Sequence, residues 1–208
     1  MGFISRVVTI GLVALGAGGS YHLITERLLA PSTTAGVGNP KSSSIESERF
    51  APAENLERIE IGELREAAQR LRGSRIPLTI AMYAFTDRVI AQILVEESDA
   101  GTVIRVYRDG EQYEEEERQH YGTGSVTSMF RGHANIHVRV KPASRSDLMH
   151  LKCWSDGRVL RDGSANWSPA GLKRQDNEIR YTADGHEVQE YNQKFEQLWN
   201  RPTNTRVQ

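Results

Sequence analysis

The sequence lacks the cysteines from which a disulfide framework could be built. Cys153 is the single cysteine among 208 residues, so no disulfide can form within the chain. A net charge of either sign is also missing, because 26 lysines and arginines stand against 27 aspartates and glutamates. Charge therefore does not draw the whole chain toward nucleic acid or an anionic membrane. No internal repeat is present, so the function must be sought in local patterns.

Charge is unevenly distributed along the chain in spite of this balance. Residues 96–117 hold nine acids and two arginines, whereas residues 131–180 hold ten lysines and arginines and five acids. One interpretation is that both segments form solvated faces that partly neutralise each other. The other is that the basic segment forms a surface for an anionic ligand. Both interpretations stay open at the level of the sequence.

The N-terminal segment, residues 1–30, is typical of an export signal or a membrane anchor. Arg6 precedes an apolar run at residues 7–18, and small residues follow it. This order fits a signal peptide, whereas weaker apolar character as far as Ile24 also fits a retained anchor. In both cases we expect the rest of the chain to be exported, periplasmic or tethered to a membrane through residues 3–25, facing outside the cytoplasm. An ordinary buried helix is the third interpretation.

Composition and periodicity divide the remaining chain into a linker, one folded domain and a tail. Residues 31–55 are rich in Pro, Ser, Thr, Gly and Ala, which predicts a flexible linker. From residue 56 to 201, apolar residues recur with the periods of strands and helices, which predicts one α/β domain, and residues 202–208 are assigned to a tail. Strand–helix–strand order at residues 76–107 predicts two parallel strands joined by a crossover helix.

Four polar residues in the second half of the domain suit phosphate chemistry. His150 and Lys152 are two residues apart in a predicted strand, so their side chains point to one face. An Asp-Gly pair at 156–157 predicts a hairpin turn, and the returning strand would bring Ser164 and Asn166 alongside the first pair. Together they offer a nucleophilic nitrogen, a positive charge and neutral hydrogen-bond donors. Attack on a phosphodiester needs these three components.

These positions resemble the HKD motif of the phospholipase D superfamily, H-x-K-x4-D-x6-G-S-x-N. The resemblance extends over roughly residues 76–201 and points to the branch with one motif per chain, which contains compact bacterial endonucleases and anchored mitochondrial-type proteins. It implies an α/β fold with a mixed, mostly parallel β-sheet flanked by helices. One departure lies between Lys152 and Asp156, where three residues replace the usual four. Because side chains alternate along a strand, we expect Asp156 to point to the opposite face from its usual one, unless a bulge absorbs the difference.

The resemblance implies hydrolysis of phosphodiester bonds without a metal ion or other cofactor. His150 attacks phosphorus and forms a phosphohistidine. Lys152, Ser164 and Asn166 hold the phosphoryl oxygens and stabilise their charge. The family's aspartate at this point of the motif is mainly structural, so Asp156 is given no chemical role.

Two further groups are implied by the resemblance, namely a carboxylate that orients His150 and a second histidine. When the Asp-Asn pair at residues 176–177 is aligned with the family pattern, Asp176 is the first choice for the carboxylate and Glu178 is the second. The second histidine protonates the leaving oxygen and then activates water. No other histidine in the chain is followed by lysine two residues on. We therefore expect a homodimer in which both chains share one active site at the two-fold axis.

Three functions remain open at the level of the sequence. The first is an endonuclease on DNA or RNA, favoured by the small size, the single motif and the basic segment. The second is a phospholipase D acting on a phospholipid such as phosphatidylcholine or cardiolipin, favoured by the N-terminal segment and the near-neutral charge. The third is a catalytically degenerate module that binds anions without turnover. Trp167 is assigned either to the core or to the substrate groove as a substrate-binding residue, whereas Cys153 and Trp154 are assigned to the core.

Overall fold

The computed structural model of the chain describes residues 53–120 and 124–208. The predicted signal peptide or anchor and nearly all of the predicted linker lie outside the described residues. Within those described ranges, no helix is long and apolar enough to cross a membrane.

A seven-stranded β-sheet forms the centre of the domain. The strands are β1 (Leu78–Met82), β2 (Ile104–Arg108), β3 (Ile136–Val140), β4 (Lys152–Ser155), β5 (Leu160–Gly163), β6 (Ile179–Thr182) and β7 (Thr205–Arg206). In space they follow the order β6-β5-β4-β1-β2-β3-β7. β1 is central and buried along its whole length, as its apolar and β-branched sequence LTIAM predicts.

Helices cover both faces of this sheet. They are α1 (Ala53–Leu71), α2 (Arg88–Asp99), α3 (Gly110–Gln119), α4 (Pro169–Lys173) and α5 (Gly185–Trp199), with a 3-10 helix at Thr127–Phe130. α1 buries Leu64, Ala68 and Leu71 at the predicted helical spacing. One apolar cluster joins α1, α2 and α4 to the sheet, and a second joins α5 to it. Successive side chains of a strand pack into opposite clusters: in β1, Ile80 belongs to the first cluster and Ala81 to the second.

The sheet is mixed, as expected, but most of its strand pairs are antiparallel. β1 pairs with β2, and β2 with β3, in parallel. The pairs β1–β4, β4–β5, β5–β6 and β3–β7 are antiparallel. The prediction of a mostly parallel sheet is therefore wrong. Parallel neighbours need a long crossover such as α2, whereas the tight turn between β4 and β5 can join only antiparallel strands.

The last residues of the chain belong to the folded domain and not to a free tail. β7 lies within the segment 202–208 and pairs with the edge of β3. Val138 N donates to Gln208 O at 3.0 Å, and Val207 N donates to Val138 O at 3.1 Å. These bonds satisfy backbone groups that an edge strand would otherwise leave unpaired.

Two aspartates begin helices at the carboxyl ends of β1 and β2. The Asp87 carboxylate accepts the backbone N–H groups of Val89 and Ile90, both at 3.0 Å. Asp109 caps α3 in the same way. Parallel neighbouring strands end at the same edge of a sheet, so α2 and α3 start side by side there. This edge carries the candidate site.

Candidate active site

His150 lies at the carboxyl end of β1, two residues before β4 begins. Its side chain is exposed, and its imidazole packs edge-on against the Tyr83 ring with 4.5 Å between ring centroids. The backbone on both sides of His150 is anchored. Tyr83 N donates to Leu151 O at 2.8 Å, and Met149 N donates to Asp109 Oδ2 at 2.8 Å. The imidazole is therefore carried on a fixed stretch of backbone and remains open to solvent.

Lys152 is the first residue of β4 and is only 6% exposed. Its ammonium donates to the His150 carbonyl oxygen at 3.0 Å and lies 4.9 Å from the centre of the Tyr83 ring. Burial lowers the pKa of Lys152 below its usual value; Cys153 opposes this shift and Arg161 adds to it. A positive charge with so little water around it interacts strongly with an anion that reaches it.

The strand β5 leads Ser164 and Asn166 toward the same edge of the sheet. Asn166 Oδ1 accepts from Ala84 N at 3.3 Å, in the segment that directly follows β1. This bond identifies which amide atom of Asn166 is the oxygen. The amide nitrogen Nδ2 is then left to donate to a ligand. Ser164 is exposed; its hydroxyl donates to Asn177 Oδ1 at 2.9 Å and accepts from Glu178 N at 3.0 Å. The hairpin thus returns to the segment against which His150 packs.

Asp156 holds the hairpin turn and bonds to α1. It is 3% exposed, and its Oδ1 accepts from Arg158 N at 2.9 Å and from Val159 N at 2.7 Å. Its Oδ2 accepts from Arg70 Nε at 2.8 Å. β4 keeps an unbroken register with β1 along its length. The shortened spacing between Lys152 and Asp156 is therefore accommodated without a bulge in β4.

Trp167 belongs to the core, which corrects its assignment as a substrate-binding residue. Its side chain is 0% exposed and packs against Phe85 with 4.9 Å between ring centroids. Ala165 is buried as well, whereas Ser164 is exposed and Asn166 is half-buried. The alternation that places Ser164 and Asn166 on one side of the chain therefore turns Trp167 inward.

A family model confirms the resemblance that the motif suggests. Residues 68–199 match the model described as "Cardiolipin synthase, PLD-like domain", which is more than half of the chain. The chain belongs to the phospholipase D superfamily.

Solved structures of this superfamily share the fold. NucT from Helicobacter pylori superposes with a TM-score of 0.55 at 19% identity, over 71% of this chain and 92% of NucT. Nuc from Salmonella typhimurium, a phospholipase D family member, gives a TM-score of 0.51 at 17% identity, over 69% of this chain and 89% of Nuc. At these identities the likeness concerns the fold alone.

Curated relatives of this phospholipase D superfamily chain include proteins named mitochondrial cardiolipin hydrolase. The Drosophila melanogaster protein is 28% identical, over 59% of this chain and 53% of its own length. The Danio rerio protein is 25% identical, over 67% of this chain and 59% of its own length. The chain thus spans little more than half the length of these relatives.

The structure does not bring the predicted orienting carboxylates of the superfamily motif into contact with His150. Asp176 and Glu178 are both exposed. Within the described part of the chain, neither carboxylate makes a hydrogen bond or an ion pair. Asn177 between them reaches the motif, because its Oδ1 accepts from Ser164 and its Nδ2 donates to a backbone carbonyl of α4 at 2.9 Å. The role of Asp176 stays a prediction, and Asn177 is a positioning residue that the sequence pattern did not reveal.

Tyr83 is a second site residue that sequence reasoning missed. Its ring contacts both the imidazole of His150 and the ammonium of Lys152, and its hydroxyl accepts from Gln112 Nε2 at 3.2 Å. Burial raises the pKa of Tyr83, and the nearby Asp109 raises it further, so the phenol stays neutral. The sequence signal that could have identified Tyr83 is its position directly after β1, a buried strand with a parallel neighbour. Functional side chains of α/β sheets are common at such positions.

A buried ion pair behind the motif joins α1 to both halves of the hairpin. Glu60 and Arg161 are 0% exposed, and Arg161 Nε donates to Glu60 Oε2 at 2.8 Å. Arg161 also donates to the carbonyl oxygens of Lys152 at 2.5 Å and Ala165 at 3.1 Å. Trp154 Nε1 donates to the other Glu60 oxygen at 2.7 Å. The two carbonyls belong to or adjoin predicted site residues, so this pair fixes the backbone that carries them.

Proposed function

We propose that the chain is a metal-independent phosphodiesterase that works through a phosphohistidine at His150. The observation that carries the proposal is the exposed imidazole of His150 set beside the buried ammonium of Lys152, both against the Tyr83 ring. A solvent-open ring nitrogen can attack phosphorus, and a shielded positive charge next to it stabilises the phosphoryl oxygens.

The reaction has two steps that the same residues serve. A ring nitrogen of His150 forms a bond to phosphorus while the bond to the leaving oxygen breaks, and that oxygen takes a proton from a general acid. Water then attacks the phosphohistidine, gives its proton to the same group and frees His150. Lys152 and Asn166 Nδ2 hold the phosphoryl oxygens, and Ser164 joins them when its hydroxyl turns from Asn177.

The general acid is supplied by His150 of a second chain in this proposal. The ring contact of His150 in the described chain is with Tyr83. A two-fold axis beside the exposed face of His150 would bring two copies of the motif together, so that each active site contains two histidines. Phosphodiester hydrolysis is then a property of the homodimer.

The substrate that we favour is the sugar–phosphate backbone of DNA or RNA, cut by an endonuclease reaction. The basic excess in residues 131–180 supports this choice, because phosphate neutralisation dominates nucleic-acid affinity. Two arginines reinforce it at the site edge. Arg88 begins α2 there and Arg145 lies on the loop that leads to His150, and both are exposed.

A phospholipid is the second candidate substrate. The observation that favours it is the name of the curated relatives, mitochondrial cardiolipin hydrolase, shared by proteins from Drosophila melanogaster, Danio rerio and Chlamydomonas reinhardtii. Retention of residues 3–25 as a membrane tether outside the cytoplasm would place the site near such lipids, and this tether is part of the proposal.

A substrate comparison tests the proposal directly. The full chain is incubated in EDTA with plasmid DNA, RNA, and vesicles of phosphatidylcholine and cardiolipin. We expect nicked or fragmented nucleic acid with the wild-type chain and loss of turnover, by at least about a thousandfold, with His150→Asn. The matched control is His186→Asn, because His186 is an exposed histidine at the start of α5.

The outcomes separate the candidates. Headgroup release from vesicles without cleavage of nucleic acid would move the assignment to a phospholipase D. Loss of all turnover in EDTA contradicts the metal-independent mechanism, and equal turnover by His150→Asn and His186→Asn contradicts the nucleophile. Binding without turnover on every substrate would leave the anion-binding module as the function.

A further inference from the structure

A basic surface lies on the sheet, away from the strands that carry the motif. Arg105 of β2 stands opposite His137 of β3, and Arg139 of β3 stands opposite Arg206 of β7. Residues opposite each other, and residues two apart on a strand, share one face of a sheet. We call these four side chains (Arg105, His137, Arg139 and Arg206) the arginine face.

The arginine face is partly open to solvent, since Arg105 and Arg139 are half-buried. The alternate side chains of β3, which are Ile136, Val138 and Val140, are buried on the opposite side. α5 packs against β1, β4 and β5, and its residues Glu196 and Trp199 reach the arginine face. His137 and Arg206 are exposed, and Arg139 is half-buried.

Positive charge on the arginine face exceeds the negative charge that the described residues bring to it. Glu196 of α5 pairs with Arg105 at 2.9 Å. Arg139 instead donates to the carbonyl oxygen of Trp199 at 2.5 Å and stacks 4.5 Å from the centre of its ring. Burial lowers the pKa of Arg139, and Arg206 and Arg105 lower it further. These guanidinium groups are therefore close enough to repel one another, and a bound polyanion would relieve that repulsion.

We propose that the arginine face binds the phosphate backbone of a nucleic acid as a second contact surface, outside the His150 site. This inference deepens the proposed endonuclease function and rests on its choice of substrate. Strand spacing spreads the charges over about 10 Å from β2 to β7, enough to meet more than one phosphate of a single strand. The stacked Arg139–Trp199 pair holds the centre of the surface rigid.

The composition of the face favours nucleic acid over a membrane surface. Lipid surfaces are held by buried apolar area in addition to charge, and each basic residue alone contributes little to membrane binding. The exposed large apolar side chains of the described residues are Ile59, Ile76, Val89 and Leu148, and none lies on β2, β3 or β7. Binding to a phosphate backbone needs no apolar insertion.

The location of the face predicts a dependence on substrate length. β1 and β2 separate β4, where Lys152 lies, from β3. Lys152 shares the face of Trp154, whereas Arg105 shares the face of Tyr107 and α5. The two surfaces therefore lie on opposite faces of the sheet, with about 15 Å between β4 and β3. A small phosphodiester occupies the His150 site without touching the arginine face, whereas an oligonucleotide that passes around the end of the sheet reaches both.

Binding is tested in the His150→Asn background, where the substrate is not consumed. The probe is a fluorescent single-stranded DNA of about 30 nucleotides, titrated between about 50 and 200 mM salt. The test pair is Arg105→Gln with Arg206→Gln. The control pair is Arg65→Gln with Arg158→Gln, since Arg65 makes an exposed ion pair with Glu96 at 2.9 Å, as Arg105 does with Glu196, and Arg158 is exposed like Arg206.

We expect the test pair to weaken binding about tenfold. The slope of log K against log salt, where K is the association constant, should become shallower by about 1 to 1.5 units. The control pair should change neither value. With His150 restored, the test pair should hydrolyse bis-p-nitrophenyl phosphate at the wild-type rate but cut the oligonucleotide more slowly.

Three results would overturn the inference. They are equal affinities and salt slopes in the two pairs, absence of DNA binding by the His150→Asn chain, and loss of cardiolipin-vesicle binding in the test pair with DNA binding unchanged. Failure of the proposed function gives a different pattern. In that case the wild-type chain does not cut DNA, yet the arginine face still binds it.

Discussion

At the scale of single residues, the ring of Tyr83 contacts two predicted site residues. Tyr83 touches the predicted nucleophile His150 and the predicted charge donor Lys152, with 4.5 Å and 4.9 Å to the centre of its ring. Contacts of these two kinds are worth about 0.5–1.5 kcal/mol each. Loss of the ring would therefore release two predicted catalytic groups at once.

Tyr83→Leu should lower kcat about tenfold and leave KM nearly unchanged, because both aromatic contacts disappear while the phosphate donors stay. Tyr83→Phe keeps the ring and loses only the bond to Gln112, so it should retain most of the activity. Steady-state kinetics on a small phosphodiester measure both variants. A Tyr83→Leu enzyme as fast as wild type would exclude a positioning role for the ring.

Loss of the Lys152 charge lowers activity at alkaline pH in this mechanism. Burial lowers its pKa below the usual 10.5, and only the protonated ammonium stabilises the phosphoryl oxygens. As pH rises through the lowered pKa, the charge is lost and kcat/KM should fall, at a pH below that of a free lysine. A pH–rate profile measures this limb. Lys152→Arg should move it to higher pH at reduced activity, and a wild-type profile that is flat through pH 10.5 would contradict the assignment.

At the level of secondary-structure elements, α1 supports the hairpin that carries the motif. Glu60 of α1 accepts hydrogen bonds from Arg161 and Trp154, which lie on the two strands of that hairpin. Arg70 of α1 bonds to Asp156 at the turn. The helix therefore holds the hairpin at both of its strands and at its tip.

Glu60→Gln should destabilise the domain by about 3–5 kcal/mol, because it leaves the buried Arg161 charge without its partner. The matched control is Glu66→Gln on the same helix, whose exposed pair with Arg70 should contribute at most about 0.5 kcal/mol. Urea unfolding followed by circular dichroism compares the two variants. Equal free energies of unfolding would show that the buried pair adds nothing to stability.

At the scale of the whole molecule, the proposed shared site would make activity depend on both chains of a dimer. Equal amounts of wild-type and His150→Asn chains are mixed and left until the dimers have exchanged subunits. Random pairing then leaves about a quarter of the dimers with two wild-type chains. Activity should fall to about a quarter of the value for the same total amount of wild-type chain, and sedimentation should give a dimer mass. A fall to only one half, or turnover by a monomer, would contradict the shared site.

The fold could be predicted from the sequence where local patterns sufficed. The spacing of Leu64, Ala68 and Leu71 identified α1, and the motif at residues 150–166 identified the superfamily. Strand direction was predicted less well, because antiparallel pairing of β1 with β4 joins residues 70 to 76 positions apart. The pairing of β7 was missed because two residues carry no period that a pattern could show.

The sequence by itself determined which groups can perform phosphate chemistry, because His150, Lys152, Ser164 and Asn166 stand close together along the chain. The tertiary structure decided what surrounds them. Tyr83 reaches the motif from the end of a strand about 70 residues earlier, and Glu60 reaches it from a helix earlier still. The physical reason is that burial and side-chain contact depend on which strands and helices pack together, a property of distant pairs that one-dimensional spacing does not contain.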